Sequence, residues 1–175
     1  MHTPDLTDTE RLILANQYEI LAKLDPSEGD YYTQLAKNLR AGHKWLYSTA
    51  FESISRVVDD DTHEFVYTIL RIYDDLKSSF AELEDNTGIE ARMVEWPGFD
   101  GNSETELLSL TDALIAAGQF TSVLGTSAKN SHLPTVDTYR RMITRWHEMG
   151  SPHYPYSKDQ IQDILAARRH PDSRA

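Results

Sequence analysis

Oxygen donors stand at alternate positions in "DGNSE", where Asp100, Asn102 and Glu104 could begin a cation-binding loop. A calcium loop of the EF-hand type needs a glycine at its sixth position and a bidentate acid at its twelfth. Counted from Asp100 those positions hold Thr105 and Thr111, so the three residues read instead as turn chemistry ahead of a helix. "VDDDTHE" gathers Asp59, Asp60, Asp61, His63 and Glu64, which could hold a cation but also suit the positive end of a helix. His132, His147 and His153 surround one helical segment and could supply acid–base or metal chemistry if they converged. His147 falls at the edge of that segment's apolar arc, where a hydrogen-bonded structural histidine is commoner than a ligand. Arg140, Arg141 and Arg145 could meet phosphate, although Asp137 and Glu148 are spaced to pair with Arg141 and Arg145. Ser127 and Lys129 in "GTSAK" have no recognised catalytic spacing, and no phosphate loop, His-Glu-x-x-His or nucleophile elbow is present. No catalytic, cofactor-binding or metal-ligating residue is assigned, and no cofactor is expected.

The elements that would position these residues are helical. "TDTE" supplies Thr7 as an N-cap and Glu10 three residues later, the capping-box spacing. That helix ends near Leu24, because Pro26 disfavours helix geometry at Asp25. Ile13, Leu14, Tyr18, Ile20, Leu21 and Leu24 cover one arc of it with Gln17 near the centre, which predicts a buried glutamine tied to a neighbouring segment. Leu12 falls on the polar side, with Asn16, Glu19 and Lys23. "SEGDYYTQLAKNLRAG" predicts a second helix with Gly42 placed for a C-cap. Residues 43–58 are ambiguous, a short helix with irregular flanks.

"DTHEFVYTILRIYDDLKSSFAELE" carries a stripe of Phe65, Ile69, Ile72, Leu76, Phe80 and Leu83 at helical spacing. "ARMVEW" reads as a brief extended segment. "SETE" repeats the capping-box pattern from Ser103 and opens a helix to about Ala117. Val136, Tyr139, Met142, Ile143 and Trp146 mark the next helix, and "SKDQ" from Ser157 opens the last. Tyr156 and Ile161 there have the spacing of a hydrophobic staple. The expected fold is all-α: one compact domain over residues 1–175, about six helices with irregular loops, and flexible tails at 1–5 and 168–175.

Composition narrows the function classes. The chain is 39% hydrophobic and 26% charged, with a net charge of -11 that repels nucleic acid. Cysteine is absent, which excludes disulfides and thiolate sites and fits a reducing cytoplasm. No apolar run approaches the ~20 residues of a membrane span, and "MHTPDLTDTE" has no secretory pattern.

"ERLILANQYEILAKLDP", "GFD", "YRRMITRWHE" and "HYPYSKDQIQDIL" resemble the bacterial YfbU family, over most of the chain from about Leu6 to Leu165. The resemblance implies a cytoplasmic, mainly helical protein and carries no functional residue across. Nine tyrosines and three tryptophans exceed what one small core absorbs, which points to a non-enzymatic interaction or regulatory domain that forms a homodimer and meets an unknown protein partner. Leu12 with Trp45 or Trp96 would contribute to that contact. A hydrolase using histidine and carboxylates, or a nucleic-acid-associated regulator using the arginine strip, are the alternatives.

Overall fold

The structure is a computed structural model that describes residues 5–54 and 57–169. The chain clusters into two compact units, through Val57 and from Val58 onward. All its regular elements among the described residues are helices, apart from one isolated parallel bridge between Phe99 and Asn130. Six are long, as the periodicity predicts, and three α turns and one 3-10 turn have four residues each, too short for any periodic signal to reveal.

In the first unit α1 (Asp8–Leu24) and α2 (Gly29–Ala41) pack on each other, followed by the turn α3 (Lys44–Tyr47) and a 3-10 turn at Ser48–Phe51. The predicted capping box is present: Thr7 Oγ1 accepts from the Glu10 amide, and Glu10 Oε2 accepts from the Thr7 amide at 2.7 Å. Gly42 ends α2 in the left-handed region at φ 74°, its amide turned back to the Asn38 and Leu39 carbonyls. Arg11 joins the two helices, donating from Nη1 to the Leu39 carbonyl at 3.0 Å, where a cation suits the C-terminal end of α2. The core is small: Ala15, Leu35, Ala36, Leu39 and Tyr47. Of the ambiguous stretch 43–58, Ser55 and Arg56 lie outside the described residues.

The second unit is organised around α4 (Asp60–Glu82), against which α5 (Ala91–Val94), α6 (Thr105–Ala116), α7 (Thr121–Leu124), α8 (Val136–Glu148) and α9 (Lys158–Ala166) all pack. Among the described residues its core has twenty buried apolar residues, including the expected Ile69, Ile72 and Leu76 but also Val66, Leu70 and Tyr73, so α4 is apolar over more than one stripe. Asp59 is the N-cap, accepting from the Thr62 amide at 2.6 Å. Ser157, where the last helix is expected to open, forms a capping box with Gln160, and Tyr156 and Ile161 are both buried beside it.

Two local expectations are corrected. Residues 91–94 form a helical turn, closed by the Met93 amide on the Glu90 carbonyl at 2.8 Å, and not an extended segment; this places Val94 and then Trp96 inward. Ser103 does not cap α6. Its hydroxyl and amide both donate to Asp100, which closes its own turn, and α6 starts after Glu104 with no side-chain cap. The expected tails lie mostly outside the described residues, but Arg168 is half-buried and donates to the Met93 carbonyl at 2.9 Å. No helix among the described residues is long and apolar enough to cross a membrane.

Candidate functional site

Asp100 and Glu104 of "DGNSE" are turned toward their own chain. Glu104 is buried and takes four donors: the Asp100 amide at 2.8 Å, the Thr135 amide at 2.7 Å, the Val136 amide at 2.9 Å and the Thr135 hydroxyl at 2.8 Å. It therefore serves as the N-terminal cap of α8 from a distant loop, a carboxylate at the positive end of a helix. Burial alone would raise its pKa, but the hydrogen bonds from Asp100, Val136 and Thr135 outweigh that and hold it below the usual glutamate value. Gly98 belongs to the same latch. Its carbonyl accepts from the buried Tyr139 hydroxyl at 2.5 Å, and its φ is 106°. A Cβ at Gly98 would stand 2.1 Å from the Lys129 carbonyl oxygen, so only glycine fits. The chemistry of this cluster is structural: it fastens the loop around Phe99 to α8.

The acidic string is a helix start. Asp60, Asp61 and His63 are exposed, with His63 stacked against Tyr67. The three histidines take three different partners. The His132 amide donates to Asn130, His147 Nδ1 lies 3.0 Å from the Ser151 hydroxyl, and His153 Nδ1 lies 2.9 Å from Arg71 Nη2. Among the described residues no group of three or more His, Cys, Asp or Glu side chains is placed to hold a metal ion. The arginine strip ties α8 to α9. Arg141 donates to the Ala167 and Arg168 carbonyls, Arg145 reaches Asp163 at 2.7 Å and Glu148 at 3.2 Å, and Asp137 pairs with Arg140, not with Arg141.

A polar network on α4 carries no signal in the sequence. Tyr156 Oη donates to Asp75 at 3.1 Å and accepts from Trp146 Nε1 at 3.1 Å, while the Arg71 guanidinium sits 5.7 Å from the Trp146 ring centre. Burial raises the Asp75 pKa, and the Tyr156 hydrogen bond and the Arg71 charge oppose the rise. An open, mainly apolar depression of about 670 Å³ is lined by Ile89, Met93 and Leu165, with Arg92, Arg168 and Arg169. It includes no member of this network.

The most distinctive surface is on α1, and it reverses an expectation. Gln17 is exposed, not buried, and so is most of the apolar arc around it: Ile13 is 52% exposed, Ile20 57% and Leu24 74%. The face that packs within the unit carries Arg11, Ala15, Tyr18 and Ala22, all buried or half-buried. At about 100° per residue the two sets lie on opposite sides of the helix. Small Ala15 and Ala36 sit in the core with Leu35 and Leu39, and the larger Ile and Leu side chains face outward. Trp45 is exposed as expected, whereas Trp96 is buried, its indole N–H without a hydrogen-bond partner, and cannot join a surface patch.

The comparisons agree with the motifs. The YfbU domain model matches residues 4–167. The chain is also similar to the "UPF0304 protein MJECS11" of Methanocaldococcus jannaschii, with 32% identity over 172 residues that cover 93% of this chain and 99% of the relative. A match over this length, joined to the motifs at Glu10–Pro26 and Tyr139–Glu148, shows that the chain belongs to the YfbU family.

Proposed function

We propose that the chain is a non-enzymatic, cytoplasmic interaction or regulatory module that self-associates through its first unit. One observation carries this reading. Among the described residues thirteen large apolar side chains are exposed, and ten of them fall between Leu12 and Val57, in the unit whose core holds five buried apolar residues among those described. Units of this size bury too little surface to be more than marginally stable by themselves, and association is a common remedy. Scattered exposed leucines are ordinary, but a concentration of this kind marks a contact surface. Light scattering over a dilution series tests the reading: mass should rise toward twice the single-chain value with concentration, and a constant single-chain mass overturns it.

The hydrolase alternative has the Asp75–Tyr156 network with His153 in its favour, and the absence of these residues from the large depression against it. Ester and phosphoester panels would reveal it as turnover lost in Asp75→Asn. Binding of nucleic acid through Arg140, Arg141 and Arg145 is disfavoured, because all three engage acceptors of their own chain.

A further inference from the structure

We propose that two copies of the chain pair through antiparallel α1 helices, with Ile13, Gln17, Ile20 and Leu24 as the contacting seam. The inference rests on the self-association reading above and names the surface that performs it. Three observations lead to it. First, the four residues recur at intervals of four, three and four, the spacing of a helix seam that faces another helix. Second, they lie opposite the face that α1 buries against α2, so the seam is free while α1 is fully packed in its own unit. Third, the charges flanking the seam are asymmetric, with Glu10 in the first turn and Lys23 in the last, whereas Asp8 lies on the other side of the helix and pairs with Arg11.

These charges decide the orientation. Parallel pairing would set Glu10 beside its own copy, with the two helix dipoles aligned. Antiparallel pairing brings Glu10 toward the partner's Lys23 and opposes the dipoles. The interval pattern reads the same in both directions, so a two-fold axis midway along the seam satisfies every position at once. Ile13 then meets the partner's Leu24, and Gln17 meets the partner's Ile20. The two Gln17 residues stand about 4.5 Å apart along the helix direction, three residues at 1.5 Å each, within reach of an amide–amide hydrogen bond across the axis. A polar residue at one such seam position lowers stability but fixes register. That accounts for an amide placed among Ile13, Ile20 and Leu24.

The chain has no cysteine, so single replacements report pairing without background. Ile13→Cys and Leu24→Cys are both at exposed positions and leave the unit's core intact. Each variant is oxidised alone and after co-expression of the two, in the whole 175-residue chain, and read on a non-reducing gel. Antiparallel pairing predicts a disulfide-linked dimer only in the co-expressed sample. Like positions would then be about 16 Å apart along the axis, far beyond the span of a disulfide. Cross-linking of each variant alone overturns the orientation in favour of a parallel pair. A dimer by light scattering with no cross-link in any sample overturns the seam and leaves self-association standing. A single-chain mass at all concentrations overturns both.

Discussion

Glu104 offers the sharpest test of what holds the second unit together. In Glu104→Ala the amides of Asp100, Thr135 and Val136 lose their acceptor in a buried setting, while the Thr135 hydroxyl keeps the Gly98 carbonyl at 3.2 Å. Each unsatisfied buried N–H costs about 1–3 kcal/mol, and local relaxation and water recover part of the total, so about 4 kcal/mol is expected. Glu104→Gln is milder. Its amide oxygen can keep Thr135 and Val136, its NH2 group can donate to a reoriented Thr135 hydroxyl, and only the Asp100 amide is left facing a donor. The expected loss is about 2 kcal/mol. Urea unfolding followed by tryptophan fluorescence reads both, because Trp96 and Trp146 lie in the core of this unit. The pH dependence has a definite sign. The folded-state pKa of Glu104 is lowered, so its contribution is complete above the ordinary glutamate pKa and is lost as pH falls through the folded value. Part of the acid limb should therefore vanish in Glu104→Gln. An Ala variant within 1 kcal/mol of the parent would refute the claim that this carboxylate caps α8.

Gly98→Ala should destabilise by at least about 3 kcal/mol, from its positive φ and the clash of the new Cβ with the Lys129 carbonyl, and urea unfolding of the variant would check it. Gln17→Leu should keep or strengthen association while relaxing the antiparallel preference, seen as new cross-linked product when Ile13→Cys alone is placed in the Gln17→Leu background; an unchanged cross-linking pattern would remove that specifying role from Gln17.

Helix content was legible in this sequence because long helices carry their own signals. Thr7 with Glu10 and Ser157 with Gln160 are local pairs, each three residues apart, and both caps are present. Gly42 and Pro26 act just as locally. The Ser103 expectation failed because Asp100 competes for the same hydroxyl, and a capping pattern does not reveal its rivals. The Glu104 latch was hidden for another reason. Three of its four donors come from residues 31 and 32 positions away, and no spacing rule connects them. The Asp75–Tyr156 network spans 81 positions and is equally invisible to periodicity. As for α1, a helical wheel finds an apolar arc but not what covers it. Weighting by side-chain size favoured the Ile and Leu face, whereas α2 packs on the face carrying Ala15, Arg11 and Tyr18.

The outward arc also sets how strongly two copies should hold together. Fully burying an Ile or Leu side chain contributes about 1.5–3 kcal/mol, and Ile13, Ile20 and Leu24 have half to three-quarters of that burial still to gain. Each then contributes about 1–2 kcal/mol on pairing, and the six such side chains of a two-fold pair about 6–12 kcal/mol in all. Against this stand the loss of translational and rotational freedom, about 4–15 kcal/mol, and the desolvation of two Gln17 amides. The balance is small, so the seam by itself supports a weak dimer whose population changes over a micromolar dilution series. Ile20→Glu, which places like charges across the axis, should abolish pairing over that range without altering the fold of the single chain. A nanomolar dissociation constant unaffected by Ile20→Glu would mean that other exposed side chains of the first unit, Trp45 first among them at 83% exposed, make the contact instead.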